Sequence, residues 1–225
     1  KLRGSWGVTG NQNIGNYASY SVYTGGQNYL GLPGFIPNVL GDRNLKWETT
    51  DQLDIGLDVG LFNDRINILA DYYHKKTSDL LIGVPILHNS GYQTRFTNAG
   101  DIENKGFEFE LTTRNLIGDF KWTTSLNMTF NRNKVLALPD GVDRILGGVS
   151  DLNIAQVGQP LGVFYGWKMI GVNPETGIID FEDVDGNPTT PTDYADRKII
   201  GDPNPNFFGG ITNTFQYKNV DLSIM

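Results

Sequence analysis

Gln52-Leu53-Asp54-Ile55-Gly56-Leu57-Asp58-Val59-Gly60-Leu61-Phe62 alternates without a break. Leu53, Ile55, Leu57, Val59 and Leu61 share one face, and Gln52, Asp54, Gly56, Asp58 and Gly60 share the other, which is the period of two of a β-strand with one greasy side. Asn63-Asp64 can turn the chain, after which Ile66, Ile68, Ala70 and Tyr72 oppose Arg65, Asn67, Asp71 and Tyr73. Folding about that turn sets Leu61 against Ile66, Val59 against Ile68, Leu57 against Ala70 and Ile55 against Tyr72. Both apolar faces coincide, Gly56 meets Asp71, and Gln52 meets Lys75.

Two further hairpins keep the same parity. Phe107, Phe109, Leu111 and Thr113 alternate with Glu108, Glu110 and Thr112, and a turn at Ile117-Gly118 brings Phe109 across from Leu126 and Phe107 across from Met128. Glu108 then meets Asn127 and Glu110 meets Ser125, while Trp122 and Phe130 close the ends of the stripe. In the third hairpin Ile211, Phe215 and Tyr217 match Leu222 and Ile224, and Asn213 breaks the apolar face once. The strands run for about 10 to 13 residues, enough to cross an apolar band of about 25 Å at the tilt of a transmembrane barrel. Connections alternate in length: residues 9–46, 77–98 and 132–206 form loops, and short turns lie near residues 63, 117 and 219. The predicted fold is therefore all-β, a segment of a transmembrane antiparallel β-barrel with about seven long strands, short periplasmic turns and long extracellular loops. A soluble secreted β-sandwich, such as a carbohydrate-binding module, is the alternative, but it normally has shorter strands and less sorted connections.

Composition agrees with strands that face something other than water. Only 19% of residues are charged, against about 25% in a soluble domain, while 12 Phe, 10 Tyr and 4 Trp stand among 28 glycines. A net charge of -7 and the lack of a basic stripe exclude a nucleic-acid partner. With no cysteine there is neither a disulfide framework nor a thiol nucleophile. No run of 18 apolar residues could form a membrane-spanning helix, which leaves a closed sheet as the structure able to satisfy its backbone in lipid. Both ends read as strand interior, so the chain is expected to continue beyond Lys1 and Met225.

The loops offer binding chemistry without a defined site. Tyr17, Tyr20, Tyr23 and Tyr29 lie among glycines, asparagines and glutamines. Such rings can stack on the apolar faces of sugars, or simply pack the loops together. Gly162–Ile170 reads as one aromatic strand, with Tyr165 and Trp167 on one face, and suggests an ordered platform within the longest loop. Asp180-Phe181-Glu182-Asp183-Val184-Asp185-Gly186-Asn187 invites a cation reading through Asp183, Asp185 and Asn187, yet Pro188 occupies the place where a calcium loop needs glycine and Tyr194 the place of its closing Glu. A solvated acidic turn is the plainer account.

No catalytic set emerges and no cofactor is implied. His74 and His88 lack metal-ligand spacing, and His74 falls on the apolar side opposite Leu53. Glu108 and Glu110 stand about 7 Å apart along one strand, a spacing an inverting glycosidase could use. A polar row lining a wet lumen explains them equally, together with Asp54, Asp58, Asp71 and Lys105. No nucleotide fingerprint appears, since Gly25-Gly26 and Gly147-Gly148 are loop punctuation.

Five stretches, in order, resemble the SusC/RagA family of TonB-dependent outer-membrane transporters of Bacteroidetes. They are Lys1-Leu2-Arg3-Gly4-Ser5-Trp6-Gly7-Val8-Thr9-Gly10-Asn11-Gln12, Asn44-Leu45-Lys46-Trp47-Glu48-Thr49-Thr50, the run from Tyr72 to Leu81, the run from Asn98 to Glu108, and Ile200-Gly201-Asp202-Pro203-Asn204-Pro205. The resemblance implies a 22-stranded barrel with an N-terminal plug, of which residues 1–225 are a partial barrel domain lacking the plug, the TonB box and the other strands. It also implies a SusD-like surface lipoprotein over the mouth, energy from TonB–ExbB–ExbD through regions absent here, surrounding outer-membrane lipid, and an oligosaccharide or peptide cargo. The family's Asp-x-Asn-Gly-Asp-Gly loop keeps only its start in Asp183-Val184-Asp185-Gly186-Asn187-Pro188, which weakens a bound calcium.

Overall fold

The computed structural model describes residues 1–92, 94–190 and 193–225. Strand β1 (Leu2–Asn11) leads into a loop that carries a hairpin, β2 (Val22–Tyr29) and β3 (Leu32–Val39). Strands β4 (Glu48–Leu61) and β5 (Ile66–Ser78) follow, then a second small hairpin, β6 (Leu81–Pro85) and β7 (Thr94–Asn98). The longest strands are β8 (Asp101–Ile117) and β9 (Phe120–Ala137). The third loop holds β10 (Arg144–Gly147), β11 (Asn153–Gln156), β12 (Val163–Gly166), β13 (Lys168–Val172), β14 (Ile179–Glu182), β15 (Pro188–Thr189) and β16 (Lys198–Gly201), before β17 (Phe208–Tyr217) and β18 (Val220–Ile224). The seven main strands make one antiparallel sheet in the order β1-β4-β5-β8-β9-β17-β18. All three long connections leave from one end of this sheet and all three tight turns lie at the other, as the alternation of loop lengths requires.

The β4–β5 hairpin has the register expected from its sequence, from Leu61↔Ile66 through Gln52↔Lys75. Asn63 and Asp64 carry φ of 56° and 59°, the left-handed pair that a two-residue hairpin turn needs. In the β8–β9 hairpin the expected register is wrong by two residues: Phe109 pairs with Met128, Phe107 with Phe130, Glu108 with Thr129, and Glu110 with Asn127. The chain turns at Gly118-Asp119, and a bulge between Arg114 and Leu116 absorbs Asn115. That extra residue is held by its side chain, which accepts from Thr113 Oγ1 at 3.0 Å and donates to Thr124 Oγ1 at 2.8 Å. A slip of two leaves the parity of the faces intact. β8 and β9, at 17 and 18 residues, are also longer than the expected span.

Successive rows of the apolar face can be read straight across the sheet. Val59, Ile68, Leu111, Leu126 and Ile211 form one, and Leu57, Ala70, Phe109, Met128 and Gly209 the next toward the loops. Above them come Ile55, Tyr72, Phe107 and Phe130. The apolar band crosses the strands obliquely. On β1 it reaches Val8, two rows beyond Tyr72, and on β4 it reaches Leu53. Toward the turns it stops at Leu61 and Ile66 on β4 and β5 but continues to Leu116, Trp122 and Phe215 on the later strands. A level band crossed by strands tilted at about 40° must slope in this way relative to the hydrogen-bonded rows. Asn213, the single polar residue in the expected stripe, has a purpose: its Oδ1 accepts from Trp122 Nε1 at 3.0 Å and Thr124 Oγ1 at 2.7 Å.

Nothing covers that band among the described residues. Trp6 is 71% exposed, and Leu2, Ile55, Leu57, Tyr72, Phe107, Ile211 and Leu222 are exposed as well. Among the described residues the only cluster of buried apolar side chains lies in the third loop, where Ile154, Val163 and Tyr165 meet. A β-sandwich buries one face of each sheet against the other, so the sandwich alternative fails on this structure.

The opposite face is polar and internally paired. Arg3 Nη2 lies 2.7 Å from Asp58 Oδ1 and 3.0 Å from Asp71 Oδ1, and a Cβ at Gly56 would collide with both the Asp71 carboxylate and the Arg3 guanidinium. Gly106 likewise leaves room for Tyr73 to cross β8 and donate from its hydroxyl to Asn131 Oδ1 at 2.9 Å. Lys105, expected on this face with Asp54, Asp58 and Asp71, is instead on the apolar face, paired with His74 and Arg132. Its odd number gives it the parity of Phe107 and Phe109, and no bulge intervenes.

Candidate functional site: the loop face

The loop end of the sheet carries the groups able to meet a ligand or partner. The β2–β3 and β6–β7 hairpins are joined there through Asp42, which is 7% exposed. Its Oδ2 accepts from Arg95 Nη2 at 2.7 Å and Thr97 Oγ1 at 2.8 Å, and its Oδ1 accepts from the Asn44 backbone at 3.0 Å. The Asn44 amide above all, then Thr97 and Arg95, hold its carboxyl below the ordinary range against the opposing effect of burial. Asn98 adds a second tie, donating from Nδ2 to the carbonyls of Lys46 at 2.9 Å and Asp79 at 2.8 Å. The first two loops therefore form one body.

On that body Tyr17 and Tyr29 are 76% and 77% exposed, and Tyr20 and Tyr23 are exposed too. Tyr17 edges a recess of about 240 Å³ with Ile14, Val22, Val39 and Phe96. Tyr23 meets Tyr92 edge-on, with ring centres 6.5 Å apart. Among the described residues no two of these four rings pack on each other, and Tyr17 alone of the four lines the recess.

The third loop is ordered around one residue that sequence reasoning missed. Arg197 is 5% exposed and its guanidinium lies 4.9, 5.4 and 5.3 Å from the ring centres of Tyr165, Trp167 and Tyr194. Its Nη2 donates to the carbonyls of Asp151 at 2.5 Å and Tyr165 at 2.7 Å, while Nε, enclosed by the rings, has no hydrogen-bond partner. Arg144 Nη1 donates to the Tyr165 hydroxyl at 2.6 Å. The expected single strand over Gly162–Ile170 is divided: β12 joins the sheet β10-β11-β12-β16, and β13 joins β13-β14-β15. Trp167 sits at the division, and its indole donates to the Asp193 carbonyl at 3.0 Å. Tyr165 faces inward and Trp167 is half-buried. Nothing in the spacing of Asp193-Tyr194-Ala195-Asp196-Arg197 marks that arginine as buried, because Tyr194 is its one local ring, and Tyr165, Trp167 and both carbonyl acceptors come from distant positions in the chain.

The acidic stretch of this loop is a self-contained turn. Asp183 Oδ1 accepts from the backbone of Asp185 at 2.9 Å and Asn187 at 2.8 Å, and the Asn187 amide is the main reason its carboxyl lies below the usual range. Asp185 and Asn187 therefore contribute backbone donors toward Asp183 rather than an open ring of oxygens. Beside them Glu182 lies between Lys168 at 2.6 Å and Lys198 at 2.9 Å, which pull its pKa down to about 2. Among the described residues no three His, Cys, Asp or Glu side chains converge as a metal site. The His88 side chain lies outside what is described.

Residues 1–197 match the family described as "TonB dependent receptor-like, beta-barrel". The whole chain is 39% identical to TonB-dependent receptor P3 of Formosa agariphila, covering 25% of that protein. The chain belongs to the TonB-dependent receptor family, in its SusC/RagA branch. It is 33% identical over 99% of its length to SusC of Bacteroides thetaiotaomicron, of which it covers 24%. A solved structure of the RagAB peptide transporter superposes on 99% of the chain with a TM-score of 0.86 at 28% identity, covering 25% of that structure's chain. The chain thus spans about a quarter of the length of the relatives it matches. Family membership places it in the outer membrane.

Proposed function

We propose that the seven main strands are part of the wall of a transmembrane barrel that imports nutrients in a TonB-dependent way, with the apolar band against lipid, the Arg3–Asp58–Asp71 face toward the lumen and the three long loops outside the cell. The observation that carries this reading is the uncovered, oblique apolar band, which in water would be an exposed patch of a size that monomeric soluble proteins avoid. The side holding the longest connections is the extracellular one, because periplasmic turns in such barrels are short.

The cargo in this reading is an oligosaccharide, met by Tyr17, Tyr20, Tyr23 and Tyr29 and by the amide-rich loop around them. A SusD-like lipoprotein covers the loop face, with Tyr165 and Trp167 supporting its platform, and TonB–ExbB–ExbD supplies energy. Asp183, Asp185 and Asn187 shape a turn at the rim. A peptide cargo has one observation in its favour, the similarity to a structure named as a peptide transporter. The two cargoes separate in cells that carry the complete transporter. Uptake of labelled oligosaccharides and of labelled peptides is compared with and without TonB, and again after changing the four tyrosines to serine. The proposal expects TonB-dependent sugar uptake that drops at least tenfold in the tyrosine variant while the lipoprotein is still retained. TonB-dependent uptake of peptide alone would replace the cargo assignment, and TonB-independent uptake would overturn the importer reading.

A further inference from the structure

Over β5, β8 and β9 the apolar face ends toward the loops in a block rich in basic residues. Directly beyond the aromatic row Tyr72–Phe107–Phe130, consecutive strands present His74, Lys105 and Arg132 in one row. The next row presents Lys76, Glu103 and Lys134. On the polar face at the same height stand Lys75, Asn104 and Asn133, so the concentration of cations is specific to the side that also carries the apolar band. It occurs in a chain whose net charge is -7.

The carboxylates nearby neutralise only part of the block. Glu103 takes His74 at 2.9 Å and Lys105 at 3.0 Å, and Asp101 takes Lys76 at 3.1 Å. Asp51 shares the Lys76 row on β4. Arg132 donates to the Asn131 and Asn206 carbonyls at 3.0 and 3.1 Å and to Asn206 Oδ1 at 3.5 Å. Neither Arg132 nor Lys134 has a carboxylate within ion-pair distance among the described residues. Both are exposed.

We propose that Lys105, Arg132 and Lys134 bind the phosphate group of a lipid in the outer leaflet. Strands about 4.8 Å apart set neighbouring cations at a spacing that lets two or three of them share one phosphate through charge-assisted hydrogen bonds. The arginine supplies a planar fork and the lysines supply mobile point charges. The lipid's chains then run down the band below, over Phe107 and Phe130 and on to Phe109 and Met128. This match of a phosphate-binding end to an apolar track favours a lipid over free phosphate. The inference rests on the apolar band facing lipid.

The test uses the full-length transporter purified in detergent, with diphosphoryl lipid A, its dephosphorylated form and inorganic phosphate as probes, read by native mass spectrometry. Wild type should prefer the phosphorylated lipid at least tenfold, and the triple variant Lys105→Gln, Arg132→Gln, Lys134→Gln should lose that preference while binding the dephosphorylated lipid as before. Arg132→Lys should keep most of it, and Lys75→Gln on the polar face should change nothing. A triple variant within twofold of wild type, or equal binding of the two lipids by wild type, overturns the proposal, and competition by millimolar phosphate reassigns the site to the free ion. If the triple variant does not assemble, the wild-type comparison and single variants still decide. A spin label at Leu126 reports separately whether the band is in hydrocarbon, so that loss of lipid binding and failure of the membrane reading are distinguishable.

Discussion

Leu126 sits near the middle of the apolar band, four residues from Phe130 on the loop side and four from Trp122 on the turn side. At about 3.4 Å per residue and a tilt of about 40°, each of those aromatic limits lies roughly 10 Å away along the membrane normal. Its neighbours across the sheet are Leu111 and Ile211, which offer no hydrogen bond. Leu126→Arg therefore places a guanidinium close to the bilayer midplane, where the cost is about 2–4 kcal/mol. Asn127→Arg, one residue along and on the polar face, keeps its charge in water and loses only the hydrogen bond that Asn127 Oδ1 accepts from the Gly210 amide at 2.8 Å, a cost of about 1 kcal/mol. Guanidine unfolding of the full-length barrel in phospholipid vesicles, together with the fraction of heat-modifiable protein on gels, measures both. A midpoint that falls at least twice as far for Arg at 126 as for Arg at 127 agrees with the reasoning. Equal losses at the two positions, or a larger loss at 127, would falsify it.

Asp42→Asn should loosen the joint between the first two loops by about 1–2 kcal/mol, a value held down because the half-exposed Arg95 regains water; hydrogen exchange across residues 33–46 and 94–98 should accelerate roughly tenfold while the main sheet is unchanged. The same joint should respond to acid. A carboxyl whose pKa is depressed by folding gives stability above its ordinary value of 3.8, and that stability is lost as pH falls through the lower folded value. Exchange in these segments should therefore be flat from pH 7 to 5, after correction for intrinsic rates, and rise below about pH 4. Arg197→Leu removes two charge-assisted hydrogen bonds and three ring contacts, a loss of about 3 kcal/mol. Limited proteolysis within residues 144–201 should become roughly a hundredfold faster, with barrel assembly intact; unchanged protection would show that Arg197 does not organise the loop.

Period-two alternation made the main sheet legible in the sequence, because a strand with one apolar face repeats its identity at every second residue. Parity survived even where register did not. The β8–β9 hairpin differs by two because the chain turns between Ile117 and Lys121 rather than at Ile117-Gly118, a displacement of three from which the Asn115 bulge takes back one, and bulges depend on a partner strand's side chains, here Thr124, rather than on local composition. Lys105 was assigned to the lumen population by its charge, although its position in the alternation places it with Phe107. The loop face was less readable. Its exposed tyrosines were visible as residue types, but Asp42 with Arg95 and Thr97, and Arg197 with Tyr165 and Trp167, join segments distant in sequence. The strand expected over Gly162–Ile170 divides at Trp167 for the same reason: β12 and β13 find partners in different sheets. Residue spacing alone carries no record of such pairings.

The measurement that bears most directly on the transmembrane reading is site-directed spin labelling of the full-length transporter in bilayers. Labels at Leu57, Val59, Ile68, Phe109 and Leu126 should collide with oxygen and be protected from a water-soluble nickel quencher, whereas labels at Asp58 and Asn67 should be open to the quencher. Identical quencher access at the two sets of positions would contradict the assignment of the apolar band to lipid.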